Sequence, residues 1–296
     1  MTTKTDYIGR FAPSPSGPLH FGSLVAALGS YLQARSQQGQ WLVRMEDLDP
    51  PREMPGAADD ILRTLEAYGL HWDGTVIYQS QRHPVYQGQI DTWLSQGQAY
   101  YCRCSRKQIK EAGGFYPGTC RDQQLPAADS AIRLRMTQPV TAFTDQLHGQ
   151  IAIPRALAEE DFIIRRRDGL FAYNLAVVLD DIEQGVTEVV RGADLIEPTG
   201  RQISLYRQLG QQEVSYVHLP LAVTTNGNKL SKQNHAPAID KQHPKPALLA
   251  AMRFLGMRPD DDLMASSLAE ILRWGGENWQ LEKLPKTTAI TLETEL

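Results

Sequence analysis

Pro13-Ser14-Pro15-Ser16-Gly17-Pro18-Leu19-His20-Phe21-Gly22-Ser23 stands between two segments of different texture. Before it, Tyr7 to Ala12 reads as a short strand. After it, Leu24, Val25, Leu28 and Leu32 fall at helical spacing and predict a helix from Phe21 to about Gln37. Trp41-Leu42-Val43-Arg44-Met45 then reads as a second strand. Strand, loop, helix and strand make a βαβ unit, which implies parallel strands and a right-handed crossover. The loop must turn sharply and leave backbone N–H groups facing outward. Gly17 permits unusual backbone angles, and Gly22 permits close approach of a ligand. The helix beyond points its positive end at that ligand, an arrangement suited to phosphate. His20, at the mouth, can donate to a phosphate oxygen as charge builds there.

The same alternation continues outward. Pro55 fits the first turn of a helix running to about Tyr68. Val76-Ile77-Tyr78 reads as a strand, and a helix follows through Trp93 and Leu94. From Tyr100 to Pro154 the texture changes to cysteines, glycines and short alternating runs such as Ala131-Ile132-Arg133-Leu134-Arg135-Met136. Around Asp161 the α/β pattern resumes, with a strand at Phe162-Ile163-Ile164, a helix from Tyr173 to Gln184 and a strand from Val186 to Val190. A helix from Thr199 to Leu209 follows, then a strand from Val217 to Val223 that leads into the Asn226-Gly227 turn. The tail from Lys245 to Trp274 reads as helical, with Leu248, Leu249, Met252 and Leu255 on one face. The expected fold is α/β: a Rossmann-like, doubly wound parallel sheet with an inserted zinc-containing α+β subdomain and a short helical C-terminal region. The expected units are 1–99, the first half of a catalytic domain; 100–154, the insertion; 155–240, the second half; and 241–296, the helical region.

With 296 residues the chain can bury a sizeable core. Its net charge of −4 is unlike that of a nucleic-acid coat protein, but an enzyme that handles RNA briefly needs only a local basic patch. Arg103, Arg106 and Lys107, and the run Arg165-Arg166-Arg167, are two such stretches, although a solvated charge run is the ordinary reading of either. No apolar run is long enough to span a membrane. The N-terminal residues lack the apolar core of a signal peptide, so the protein is expected in the cytoplasm.

Lys229-Leu230-Ser231-Lys232-Gln233 follows the turn. Alone it is an ordinary hairpin tip. Beside a phosphate-binding loop, its two lysines could deliver positive charge to a pyrophosphate leaving group. Cys102, Cys104 and Cys120 form an odd, clustered set, which argues for a metal rather than a disulfide framework. Zinc favours thiolates in tetrahedral geometry, so a fourth ligand is needed: water, a nearby histidine or Asp122 on chemical grounds.

These residues resemble the class I aminoacyl-tRNA synthetases of the glutamyl type. His20-Phe21-Gly22-Ser23 is similar to the family's HIGH signature, with Ser23 in place of the last histidine. Lys229 to Gln233 is similar to KMSKS, with Leu230 and Gln233 as departures. Arg10-Phe11-Ala12-Pro13-Ser14-Pro15, Arg44-Met45-Glu46-Asp47-Leu48-Asp49-Pro50, Tyr173 to Asp181 and Val190-Arg191-Gly192-Ala193-Asp194 match in order. The resemblance implies ATP, with Mg²⁺, at His20, Gly22, Ser23, Lys229 and Lys232, of which His20 and Lys232 are catalytic. It implies L-glutamate at Arg10, Ser14, Glu46, Tyr173 and Arg191: Arg10 and Arg191 for carboxylates, Glu46 for the ammonium and Tyr173 for a hydroxyl contact. This set suits a ligand with two carboxylates and one ammonium. It also implies one structural Zn²⁺ on Cys102, Cys104, Tyr116 and Cys120.

After Lys232 only about 60 residues remain, too few for the helical anticodon-reading region of a glutamyl-tRNA synthetase. The shortened architecture resembles the branch of the family that modifies RNA. That resemblance implies activation of glutamate without tRNA, and transfer of the glutamyl group to queuosine at the wobble position in the anticodon loop of tRNA(Asp). A minimal synthetase charging a tRNA 3′ end and a non-catalytic tRNA-binding paralogue are the alternatives.

Overall fold

The computed structural model describes residues 6–230 and 236–292. In chain order its elements are β1 (Ile8–Phe11), α1 (Phe21–Ser36), β2 (Gln40–Met45), α2 (Ala57–Ala67), β3 (Ile77–Tyr78), α3 (His83–Ser95), β4 (Ala99–Cys102), α4 (Arg106–Glu111), β5 (Ala131–Leu134), β6 (Ala142–Asp145) and β7 (Gly149–Ala152). They continue with α5 (Arg155–Ala158), β8 (Ile163–Arg165), α6 (Tyr173–Glu183), β9 (Glu188–Gly192), α7 (Ile196–Gln208), β10 (Ser215–Leu219), β11 (Leu221–Val223), α8 (Pro244–Phe254), α9 (Leu268–Asn278) and β12 (Ala289–Thr291).

The parallel arrangement expected from the βαβ reading is present. β1 pairs in parallel with β2, Ile8 opposite Gln40, and β2 with β3. β9 and β10 form a second parallel pair, Arg191 opposite His218. β9 lies against β1, where Thr187 N–H donates to Ile8 O at 2.9 Å and Tyr7 Oη donates to Glu188 Oε1 at 3.0 Å. The strands thus lie in the order β3-β2-β1, then β9-β10. The order reverses between β1 and β9, and ligands in open α/β sheets bind outside the strand ends at such a point.

α1 crosses this junction with ten of its 16 residues buried and none exposed. Leu24, Val25, Ala27, Leu28, Leu32 and Ala34 meet β1, β9, α8 and α9. A helix apolar on all sides belongs inside. Gly29 sits so close to β10 that a Cβ there would lie 2.4 Å from Leu219 Cδ1. Packing of α8 and α9 on α1 places Leu248, Leu249, Met252, Leu255 and Ile271 in the same core.

Four readings differ in detail. Pro55 precedes α2 rather than sitting in its first turn, because Gly56, with φ +77°, caps the helix and turns the chain into it. The strand expected at Phe162-Ile163-Ile164 exists as β8, but it pairs antiparallel with β5, so β4, β5 and β8 form the sheet beside the cysteines. The single strand expected from Val217 to Val223 is two, broken at Pro220, which has no N–H to give a ladder. β12, unanticipated in the tail, pairs in parallel with β11.

Candidate active site and candidate metal centre

The carboxyl ends of β1 and β9 open into a cavity of about 730 Å³. Its walls bring together Arg10, Ser14, His20, Gly22, Ser23, Glu46, Tyr173, Arg191 and Lys229, every expected glutamate and nucleotide residue that is described. Lys232, with Ser231 and Gln233, lies outside the described residues.

At the helix end, His20 is the N-cap of α1, with φ −111° and ψ 174°. Its Nδ1 accepts from the Ser23 N–H at 3.3 Å. That bond assigns the ring proton of a neutral His20 to Nε2, which makes Nε2 a donor. A Cβ on Gly22 would lie 3.1 Å from His20 Cε1 and 3.5 Å from Leu230 O, so the glycine lets imidazole and the incoming Leu230 backbone close on the helix. Gly17 takes φ +138°, open to glycine. Lys229 Nζ lies 2.5 Å from Asp194 Oδ2 across the cavity.

The opposite wall is charged and buried. Arg10, 3% exposed, donates through Nε to Asp181 Oδ1 at 3.1 Å. Arg44 reaches the same carboxylate at 2.8 Å and lies 3.9 Å from Asp180. Burial pushes the Asp181 carboxyl up, but Arg10 and Arg44 outweigh it and hold it below the usual range. Glu46 is different. Its Oε1 lies 3.7 Å from Arg44, beyond hydrogen-bond reach, and finds no hydrogen-bond partner among the described residues. Burial raises its pKa to about 7, against the pull of Arg44 and Arg10. A buried carboxylate that lines the cavity and has no hydrogen bond on Oε1 is set to receive a cation.

Arg191, 6% exposed, extends from β9 and is held on several sides. Its Nε donates to His218 Nε2 at 3.1 Å, Nη1 to Tyr173 Oη at 3.3 Å, and Nη2 to Thr199 Oγ1 at 2.8 Å and Leu195 O at 3.2 Å. Asp181, Arg44, His218 and Asp145 are structural partners of the site that sequence reasoning passed over. Asp180-Asp181 closing an otherwise apolar helix was the available signal for one of them.

The three cysteine sulfurs converge within 4.8 Å, with Cys104 and Cys120 Sγ 3.5 Å apart. Sulfurs on a tetrahedral zinc with bonds of about 2.3 Å stand roughly 3.8 Å apart, so this cluster fits such an ion. Tyr116, 4% exposed, packs in the same cluster, and its Oη accepts from Cys120 N at 2.7 Å. Arg133 lies 3.8 Å over its ring and donates to Cys102 Sγ at 3.3 Å. Asp122 is instead engaged with Arg135 at 3.1 Å and is largely exposed. The cluster could hold a metal. It lies on β4 and the loops beyond, and none of its cysteines lines the large cavity.

Sheet order, helix end and charged cavity together have the form of a class I tRNA synthetase catalytic domain. The family model for tRNA synthetases class I (E and Q), catalytic domain, matches residues 8–116 and 117–289. Among solved structures, a glutamate tRNA ligase from Elizabethkingia meningosepticum superposes with a TM-score of 0.79 at 24% identity. The match covers 96% of this chain and 66% of that one. A glutamate-tRNA synthetase from Elizabethkingia anophelis gives 0.80 at 24% identity, over 98% and 68%. At that identity the likeness speaks for the fold. The glutamyl-Q tRNA(Asp) synthetase of Photobacterium profundum is 74% identical over 99% of this chain and 94% of its own length. That of Vibrio parahaemolyticus is 71% identical over 96% of each. The chain belongs to the class I (E and Q) tRNA synthetase family and, within it, to the branch of the glutamyl-Q tRNA(Asp) synthetases.

Proposed function

We propose that this protein activates L-glutamate with ATP, without needing tRNA, and transfers the glutamyl group to queuosine at the wobble position of tRNA(Asp). The observation that carries the reading is the buried Glu46 carboxylate, its Oε1 without a hydrogen bond, set in one cavity with Arg10, Tyr173 and Arg191. The relatives' name supports the choice of acceptor. No helix among the described residues is long and apolar enough to cross a membrane, in keeping with work on tRNA in the cytoplasm.

In the first step a glutamate carboxylate oxygen attacks the α-phosphorus of ATP, and pyrophosphate leaves. Glu46 takes the ammonium, Arg10 and Arg191 take carboxylates, Tyr173 adds a hydroxyl donor and Ser14 borders the same space. His20 donates from Nε2 to phosphate oxygens at the end of α1, with Gly22 and Ser23 supplying close backbone. Lys229 and Lys232 bring positive charge to the leaving group. Positioning and charge stabilisation carry this step. Mg²⁺ enters with ATP. In the second step a queuosine hydroxyl attacks the acyl carbon and AMP leaves.

Residues 1–99 and 155–240 form the catalytic unit, with β8 contributed to the sheet of the insertion at 100–154, and 241–296 form the helical cap. Cys102, Cys104 and Cys120, with Tyr116 as the fourth ligand, would hold one structural zinc that cross-links the insertion.

Pyrophosphate exchange without tRNA tests the first step. Exchange that depends on glutamate and is not driven by glutamine supports the reading. Exchange only when tRNA is added, or none at all, refutes it.

A further inference from the structure

His218 is fully buried on β10, next to Arg191 on β9, and no step above uses it. Its two ring nitrogens are both engaged. Nδ1 lies 2.7 Å from Asp145 Oδ2, and Nε2 faces Arg191 Nε at 3.1 Å. Arginine has no acceptor, so His218 Nε2 must accept. The imidazole proton therefore resides on Nδ1 and is donated to Asp145. Thr199 Oγ1, 3.3 Å from Nε2, directs its own proton to Leu195 O at 2.7 Å and leaves this assignment intact.

Asp145 is equally fixed. Its Oδ1 accepts the N–H groups of Leu147 and His148, each at 2.9 Å. Burial pushes its carboxyl up, but the bonds from His218, His148 and Leu147 hold it below the usual range. Burial also lowers the His218 pKa, against the pull of Asp145 and with help from Arg191 and His148. Tyr216 stacks on the His218 ring, and His148 Nε2 bonds its backbone oxygen at 2.8 Å.

The guanidinium offers five N–H donors. His218, Tyr173, Thr199 and Leu195 engage four of them, which leaves one Nη1–H for a ligand. Tyr173 Oη accepts from that same Nη1, so its own proton is available to donate beside it. Rotation of the guanidinium would break this pairing, and the Nε–His218 bond opposes it together with the Nη2 bonds to Thr199 and Leu195.

We propose that the Asp145–His218 pair is a positioning device for Arg191. The β6–β7 hairpin of the insertion thereby sets which donors meet the carboxylate of the amino acid. The proposal rests on the reading of Arg191 as a glutamate residue. Asp145→Asn keeps an oxygen for the Leu147 and His148 N–H groups but offers an N–H to His218 Nδ1. That forces the imidazole proton onto Nε2, against the Arg191 Nε–H, just as an aspartate-to-asparagine change beside a catalytic histidine imposes the wrong tautomer.

The test is glutamate-dependent pyrophosphate exchange by wild type, Asp145→Asn, His218→Gln and His218→Leu. We expect Asp145→Asn and His218→Leu to raise the KM for glutamate about 10- to 100-fold, the worth of one charge-assisted hydrogen bond. The KM for ATP should stay within about threefold of wild type. His218→Gln, whose amide oxygen can still accept from Arg191 Nε, should recover most of the loss. Should Asp145→Asn not fold, the contrast between His218→Gln and His218→Leu carries the test. Unchanged glutamate KM in the folded variants, or equal losses in His218→Gln and His218→Leu, would overturn the device alone. No glutamate-dependent exchange by the wild type would overturn the functional reading and the device with it.

Discussion

Glu46→Gln should stabilise the ligand-free protein and abolish its use of glutamate. The carboxylate is buried beside Arg44 at 3.7 Å, without a hydrogen bond on Oε1. Its pKa rises from an ordinary 4.5 to about 7. Each pH unit is worth about 1.4 kcal/mol, so ionised Glu46 costs the folded state about 3 kcal/mol. The sign follows from the direction of that shift. An acid whose folded pKa is raised supports the fold fully below its unfolded pKa, and that support is lost as pH rises through 4.5 to about 7. Glutamine mimics the neutral acid and loses nothing over the window. Urea unfolding at pH 8 should therefore show the variant more stable by about 3 kcal/mol, with a gain of only about 1 kcal/mol at pH 5. At pH 8, saturating glutamate should raise the midpoint of the wild type and leave that of the variant unmoved. Equal differences at the two pH values, or a variant less stable at pH 8, would refute the account of Glu46 as a strained, waiting carboxylate.

Asp181→Asn removes the charge that Arg10 and Arg44 share at 3.1 and 2.8 Å, so stability should fall by about 3–5 kcal/mol in denaturant unfolding; a loss below 1 kcal/mol would show that water or Asp180 takes over. Cys104→Ser should lower bound zinc well below one per chain and destabilise the insertion, and unchanged stoichiometric zinc by elemental analysis would sink the centre. Lys232→Ala should slow adenylate formation by about 10²–10³, the size of one transition-state donor, whereas a rate within threefold of wild type would remove it from the mechanism.

The nucleotide end of the site is written almost wholly in local sequence. A glycine with φ +138°, a histidine cap and a continuous apolar stripe are short-range features, and each maps onto the β1–α1 junction. The partners of the charged wall are not local. Asp181 meets Arg10 across 171 residues, and Asp145 meets His218 across 73. In sequence, a histidine between Val217 and Leu219 is indistinguishable from an ordinary core histidine. β12 escaped for a similar reason. It has three residues, and its partner β11 lies about 70 residues earlier, so no hairpin turn advertises the pairing. The split at Pro220 was readable from proline chemistry, but the flanking apolar residues masked it.

The most direct test of the central claim is transfer of radioactive glutamate, with ATP, to two matched preparations of tRNA(Asp), one containing queuosine and one lacking it. The account predicts label on the queuosine-containing tRNA alone. Equal label on both, or label on tRNA(Glu) instead, would contradict it and assign the protein to 3′-end charging.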